Sequence, residues 1–125
     1  FISVKDDDKV KILSLCENLI LLGFDIISTK GTHDYLKKNN ISSQVVKKVK
    51  EGSGNIVDLM KNAEIDILVN TTSTKKEILE SFSIRRTALI KQVPYFTTIA
   101  GATAAIDAID YLKKGIIKVK PLQEY

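Results

Sequence analysis

Residues 65–70, IDILVN, form a nearly unbroken apolar run. A strand with one wet face alternates apolar and polar residues, whereas this run keeps little for water on either side. Such a strand belongs inside a parallel sheet covered on both faces. Parallel neighbours cannot be joined by a tight hairpin; each needs a crossover, usually a helix. The run at 65–70 therefore requires further strands alternating with helices along the chain.

The remaining sequence supplies them. FISV at 1–4 is short and β-branched, FDIIS follows at 24–28, SQVVKKV at 43–49 is more polar and suits an edge, and PYFT at 94–97 makes a fifth strand. From Asp8 to Leu22, residues Ile12, Leu15, Cys16, Leu19 and Ile20 fall on one helix face, with Asp8 as cap and Gly23 as stop. The second strand leads into a short helix capped by Thr32 and closed by Asn39 and Asn40. Further helices are expected over Ile56 to Lys61 and Phe82 to Lys91, the latter ending before Pro94. Residues 71–81 read as a polar loop with one helical turn. Thr98 caps a last helix whose face is Ala105, Ala108, Ile109 and Leu112 and whose end is Gly115. The pattern is a single α/β domain over residues 1–125, a three-layer doubly wound fold.

At 125 residues the chain is long enough for one ordinary core. Its first residue is Phe1, which leads us to expect a piece excised from a longer multidomain protein. No apolar run approaches the roughly 18 residues of a membrane span, so no membrane partner is expected. A lone Cys16 and a lone His33 give neither an internal disulfide nor a metal-ligand set, so a cytoplasmic, metal-free domain is the expectation. The formal charge of +4 is spread along the chain without aromatic interleaving, which does not favour nucleic acid.

Three strand ends carry the same chemistry: ISTKGT at 27–32, NTTST at 70–74 and Thr97-Thr98. Ligands of open parallel sheets bind beyond the carboxyl ends of the strands. Helix starts there expose backbone N–H groups and the positive end of a dipole, and threonines add uncharged donors. Gly31 lets backbone approach a ligand, and Lys9, Lys30, Lys48 and Lys75 are candidates to neutralise it. The three turns are thus expected to share one anion site. GSGN at 52–55 lacks the third glycine of a dinucleotide fingerprint, and no P-loop occurs.

FISVKDDDK, GFDIISTKGT, VKKVKEG, NIVDLMKNAEIDILVNTT, SIRRTALIKQVPYFTT and AIDAI, in this order and spacing, resemble the carboxyl-terminal regulatory domain of the carbamoyl-phosphate synthetase large subunit. That family shares its fold with methylglyoxal synthase, so the resemblance implies a five-stranded parallel sheet. The resemblance implies an allosteric domain for UMP and IMP, without cofactor or catalytic residue of its own. Phosphate contacts fall on Lys9, Thr29, Thr32 and Lys48, within the turn that also holds Lys30 and Gly31. Nucleotide contacts fall on Asn70 and Thr72, beside Thr71, with Ser81 a further one. Tyr95 and Thr97 match positions that help form an ornithine site. The parent would be an ATP-dependent ligase using Mg or Mn, with a synthetase body in the same chain and a glutaminase small subunit, in pyrimidine and arginine biosynthesis.

Two alternatives keep the same fold. A lyase like methylglyoxal synthase would act on a small phosphorylated substrate, but its catalytic aspartate lies in a Gly-Asp-Gln-Gln loop where this chain has Gly52, Ser53, Gly54 and Asn55. Neither serine nor asparagine replaces a carboxylate base at neutral pH. A ligand-free docking module would leave the threonines as helix caps.

Overall fold

The computed structural model describes residues 1–47 and 54–119, with side chains through residue 114. Five short strands, β1 (Ile2–Ser3), β2 (Ile27–Ser28), β3 (Gln44–Val45), β4 (Leu68–Asn70) and β5 (Tyr95–Phe96), form one sheet in the order β3-β2-β1-β4-β5. Every pairing is parallel, as the apolar run at 65–70 required. The more polar β3 lies at an edge, and β4, buried along its length, pairs with central β1. Strand order reverses between β1 and β4: the chain first steps outward from β1 through β2 to β3, then returns to the other side of β1.

Helices α1 (Ile12–Leu21), α2 (Lys30–Lys38), α3 (Ile56–Lys61), α4 (Lys75–Glu80), α5 (Phe82–Lys91) and α6 (Ile99–Val119) complete the chain. On one side of the sheet Ile2 and Val69 pack with Ile12, Leu15, Cys16 and Leu19 of α1, Leu36 of α2, and Ala102 and Ile106 of α6. On the other, Leu68 packs with Ile56 and Met60 of α3 and Ile84 and Ala88 of α5. Helix, sheet and helix form three layers.

Several local expectations need correction. Asp8 does not cap a helix: it lies inside a 3-10 turn, Asp6–Lys11, that precedes α1, and its carboxylate is buried beside Lys11 at 3.6 Å. Three consecutive acidic residues suit the first turn as well as the cap, because all of them favour the positive helix end. Ile20 is 44% exposed, since the stripe from Ile12 to Leu19 already fills the contact and Ile20 falls at its edge. Gly23 ends α1 as expected, at φ +96, with the Phe24 N–H reaching the Leu19 carbonyl at 3.0 Å.

Helix α2 starts at Lys30 with Thr29 as its cap position, one turn earlier than Thr32 suggested, while Asn39 and Asn40 close it. Residues 75–80 form a helix capped by the Thr74 side chain. Thr98 caps α6 through Gly101 N–H at 3.0 Å, but the buried face is Ala102 and Ile106, and Leu112 is 61% exposed. Alanines mark either face of such a helix, so the pattern alone misplaced it by roughly a quarter turn. The helix also continues through Gly115 to Val119, because a glycine weakens a helix without ending it.

Cys16 sits wholly inside the first core cluster, and burial pushes its thiol from 9.0 up to about 12. The unfolded thiol ionises first as pH rises, so Cys16 favours unfolding above pH 9 and has no pH effect below it. Denaturant titrations should show the stability of the native chain relative to Cys16→Ala constant below pH 9. Between pH 9 and 12 that difference should decline, by at most about 1.4 kcal/mol per pH unit. A flat difference across this window would mean that the thiol is not shielded.

Candidate functional site

A cleft of about 390 Å³ opens beyond the carboxyl ends of β1, β2 and β4, at the point where strand order reverses. Its size is within the range of small-molecule sites. One wall comes from the chain leaving β1 and from the start of α2: Ser3, Lys5, Lys9, Thr29, Gly31 and Thr32. The opposite wall is Asn70, Thr71 and Thr72 after β4, with Glu77, Glu80 and Ser81 from α4 and its end. Ile56 and Ile84 give it an apolar floor.

The threonines are positioned by backbone groups that the sheet leaves unpaired. As β1 ends, the Val4 N–H donates to Thr32 Oγ1 at 3.2 Å and the Lys5 N–H to Thr71 Oγ1 at 2.9 Å. Thr71 N–H returns to the Ser3 carbonyl at 3.0 Å. Thr32 is only 1% exposed, which fits this role and not that of a surface cap. A hydroxyl that accepts from a backbone N–H keeps its own hydrogen to donate. Thr29 instead donates to Ser3 Oγ at 3.0 Å, so the hydrogen left for the cleft there is the serine's.

The first intrahelical bond of α2 runs from His33 N–H to the Thr29 carbonyl at 2.8 Å, which leaves the N–H groups of Lys30, Gly31 and Thr32 ahead of the helical ladder. Lys9 brings a cation to the same place: a β-carbon added to Gly31 would lie 3.6 Å from Lys9 Nζ. Lys9 Nζ is paired with Asp6, whose exposed carboxyl this hydrogen bond and charge hold below the ordinary range.

Two of the three hydroxyl-rich turns thus meet at one cleft. Lys9, Thr29, Gly31, Thr32, Asn70, Thr71, Thr72 and Ser81 all line it. Lys30 is an exposed first residue of α2 and Lys75 an exposed first residue of α4; neither lines the cleft. The third turn stands apart, since Thr97 is exposed beyond edge strand β5 and Thr98, which caps α6, does not line the cleft either. Tyr95 does not line the cleft but accepts at 2.9 Å from Nδ2 of Asn70, which does. Lys48 lies outside the described residues.

Lys5, Ser3 and the two glutamates were not singled out from the sequence. Lys5 follows β1 directly, so the rule that pointed to Thr29 and Asn70 points equally to it. Glu77 and Glu80 carried no signal beyond a charged helix face. Asp58, the carboxylate nearest the aligned lyase position, serves local structure: it accepts from Gly54 N–H at 2.7 Å and Asn55 N–H at 3.3 Å, closing a capping box with Asn55. Among the described residues no group of His, Cys, Asp or Glu is placed to hold a metal ion, and no helix is long and apolar enough to cross a membrane.

The MGS-like domain family model matches residues 11–97. The chain is similar to the carbamoyl phosphate synthase large chain of Myxococcus xanthus, 50% identical over 125 residues, which are 100% of this chain and 12% of that protein. The large chain from Mesorhizobium japonicum is 42% identical over 125 residues, all of this chain and 11% of its own length. The carbamoyl phosphate synthase large chain, C-terminal section, of Methanopyrus kandleri is 44% identical over 124 residues, 98% of this chain and 23% of that protein. The chain therefore spans a small part of each relative.

Thr32→Val removes the acceptor of a buried N–H while keeping the side chain's shape. Unfolding measurements should show a loss of about 1 to 3 kcal/mol, with Thr32→Ser losing clearly less because it keeps the oxygen. A Thr32→Val loss no larger than that of Thr32→Ser would mean that the hydroxyl acceptor is not what holds Thr32 in place.

Proposed function

Because the chain belongs to the MGS-like domain family, we propose that it is the effector-binding domain of a carbamoyl phosphate synthase large chain, taking nucleoside monophosphates such as UMP and IMP in the cleft. One observation carries the reading: Lys9 Nζ lies against Gly31, at the open start of α2, inside a cleft whose other wall is polar. A phosphate there meets backbone N–H groups, a helix dipole, hydroxyl donors and a cation together. The Asn70–Thr72 wall and the Ile56 and Ile84 floor then face the rest of the nucleotide.

Lys48 is assigned to the same phosphate on the family resemblance. Tyr95 and Thr97 would contribute to an ornithine site completed by the synthetase body, whose carboxylates would meet the two amino groups. Catalysis is assigned to the parent chain, an ATP-dependent ligase with Mg or Mn and a glutaminase partner, in the cytoplasm. The lyase alternative is disfavoured because the Asp58 carboxylate is committed to the N-terminus of α3. A regulatory role further requires that the effector bind two states of the parent differently.

Calorimetry with UMP should give saturable binding, with uridine far weaker. Affinity should fall as pH drops through the phosphate's second pKa of about 6. Lys9→Ala and Lys48→Ala should each weaken UMP about 10-fold to 100-fold. Asp6→Asn should tighten it, by freeing Lys9 from its present partner. Equal affinity for UMP and uridine would overturn the phosphate site.

A further inference from the structure

We propose that Ser81 and Tyr95 act as positioning residues that lock the side-chain amide of Asn70, so that it offers the cleft a hydrogen-bond acceptor and selects ligands carrying a donor. The proposal rests on the nucleotide reading above and adds what the far wall demands of the ligand.

The proton inventory fixes the amide's orientation. Ser81 Oγ donates its single hydrogen to the Glu77 carbonyl at 2.9 Å. Toward any other neighbour it can only accept, so the Asn70 atom that faces it at 2.9 Å is Nδ2 and not the oxygen. The second Nδ2 hydrogen goes to Tyr95 Oη, also at 2.9 Å. Both amide hydrogens are then spent within the protein, and Oδ1 is what remains.

Oδ1 has no donor within the described residues, and no buried side-chain oxygen or nitrogen there lacks a partner. It is therefore open to the cleft that Asn70 lines. Its supports are firm: β4 pairs with β1 at Ser3↔Asn70 and with β5 at Leu68↔Tyr95, and the Arg85 guanidinium covers the Tyr95 ring at 5.5 Å. Ser81 is fixed as the residue joining α4 to α5. A ligand hydroxyl or ring N–H satisfies the acceptor; a ligand lacking a donor leaves it desolvated and unpaired.

The test compares UMP, its 2′,3′-dideoxy analogue, its N3-methyl analogue and inorganic phosphate, by calorimetry on the full-length protein carrying this chain. The native protein should lose about tenfold or more in affinity for at least one analogue. Which analogue suffers tells whether the donor is a sugar hydroxyl or the ring N–H. In Ser81→Ala/Tyr95→Phe the amide turns freely, and that loss should shrink below about threefold, while phosphate affinity is unchanged. A purely structural role would instead weaken UMP, analogues and phosphate together and leave their ratios intact. Should the double variant not fold, Ser81→Ala alone must still reduce the discrimination severalfold, since the Tyr95 hydroxyl can donate to a turned amide. Equal native affinities for UMP and both analogues, or undiminished discrimination in the variants, overturns the proposal and leaves the nucleotide reading standing. A native protein that binds neither UMP nor phosphate overturns both.

Discussion

The exit of the central strand is the constraint on which the site depends. β1 lasts only from Ile2 to Ser3, and beyond it the N–H groups of Val4 and Lys5 need partners that no strand supplies. Two threonines from different turns provide them, Thr32 after β2 and Thr71 after β4. A buried N–H left unpaired costs about 1 to 3 kcal/mol. The two turns are thereby tied to the same two residues, and the space between them becomes the cleft.

This arrangement explains why small hydroxyl side chains end the strands. A threonine oxygen short enough to meet a backbone N–H keeps its hydrogen for whatever enters the cleft. Structural and ligand-facing roles thus share one atom. The walls differ in consequence: the β1–α2 side offers donors and the Lys9 cation, while the β4–α4 side carries the Asn70 oxygen, the Glu77 carboxylate being engaged by the Ser73 N–H. A phosphorylated ligand with donor groups away from its phosphate matches both.

Much of this was legible in the sequence because periodicity and strand-end chemistry are local. The apolar run at 65–70, the polar edge strand, and the bounds of α3 and α5 follow from short windows. Asp8, Thr32 and the face of α6 did not, because each depends on what packs against it. Asp8 is drawn into a 3-10 turn over the core, Thr32 moves inward to meet Val4, and α6 turns Ala102 and Ile106 toward α1 and the sheet. That the 27–32 and 70–74 turns open on one side of the sheet was legible, since the strands of a parallel sheet all end there. The separation of Thr97 was not, because strand order places β5 at the far edge only once the crossover is known. Glu77 and Glu80 became visible as cleft residues only when α4 was seen to border it.

The central claim is that the open start of α2 holds the phosphate of a nucleotide bound at the β1/β4 reversal. Amide chemical shifts of ¹⁵N-labelled protein during titration with UMP, repeated with uridine, test it most directly. The account expects the Gly31 and Thr32 N–H resonances to move with saturation for UMP, to lose that response as the phosphate takes up its second proton near pH 6, and to stay nearly still for uridine. Saturable UMP binding that leaves Gly31 and Thr32 unmoved while shifting another region would contradict it.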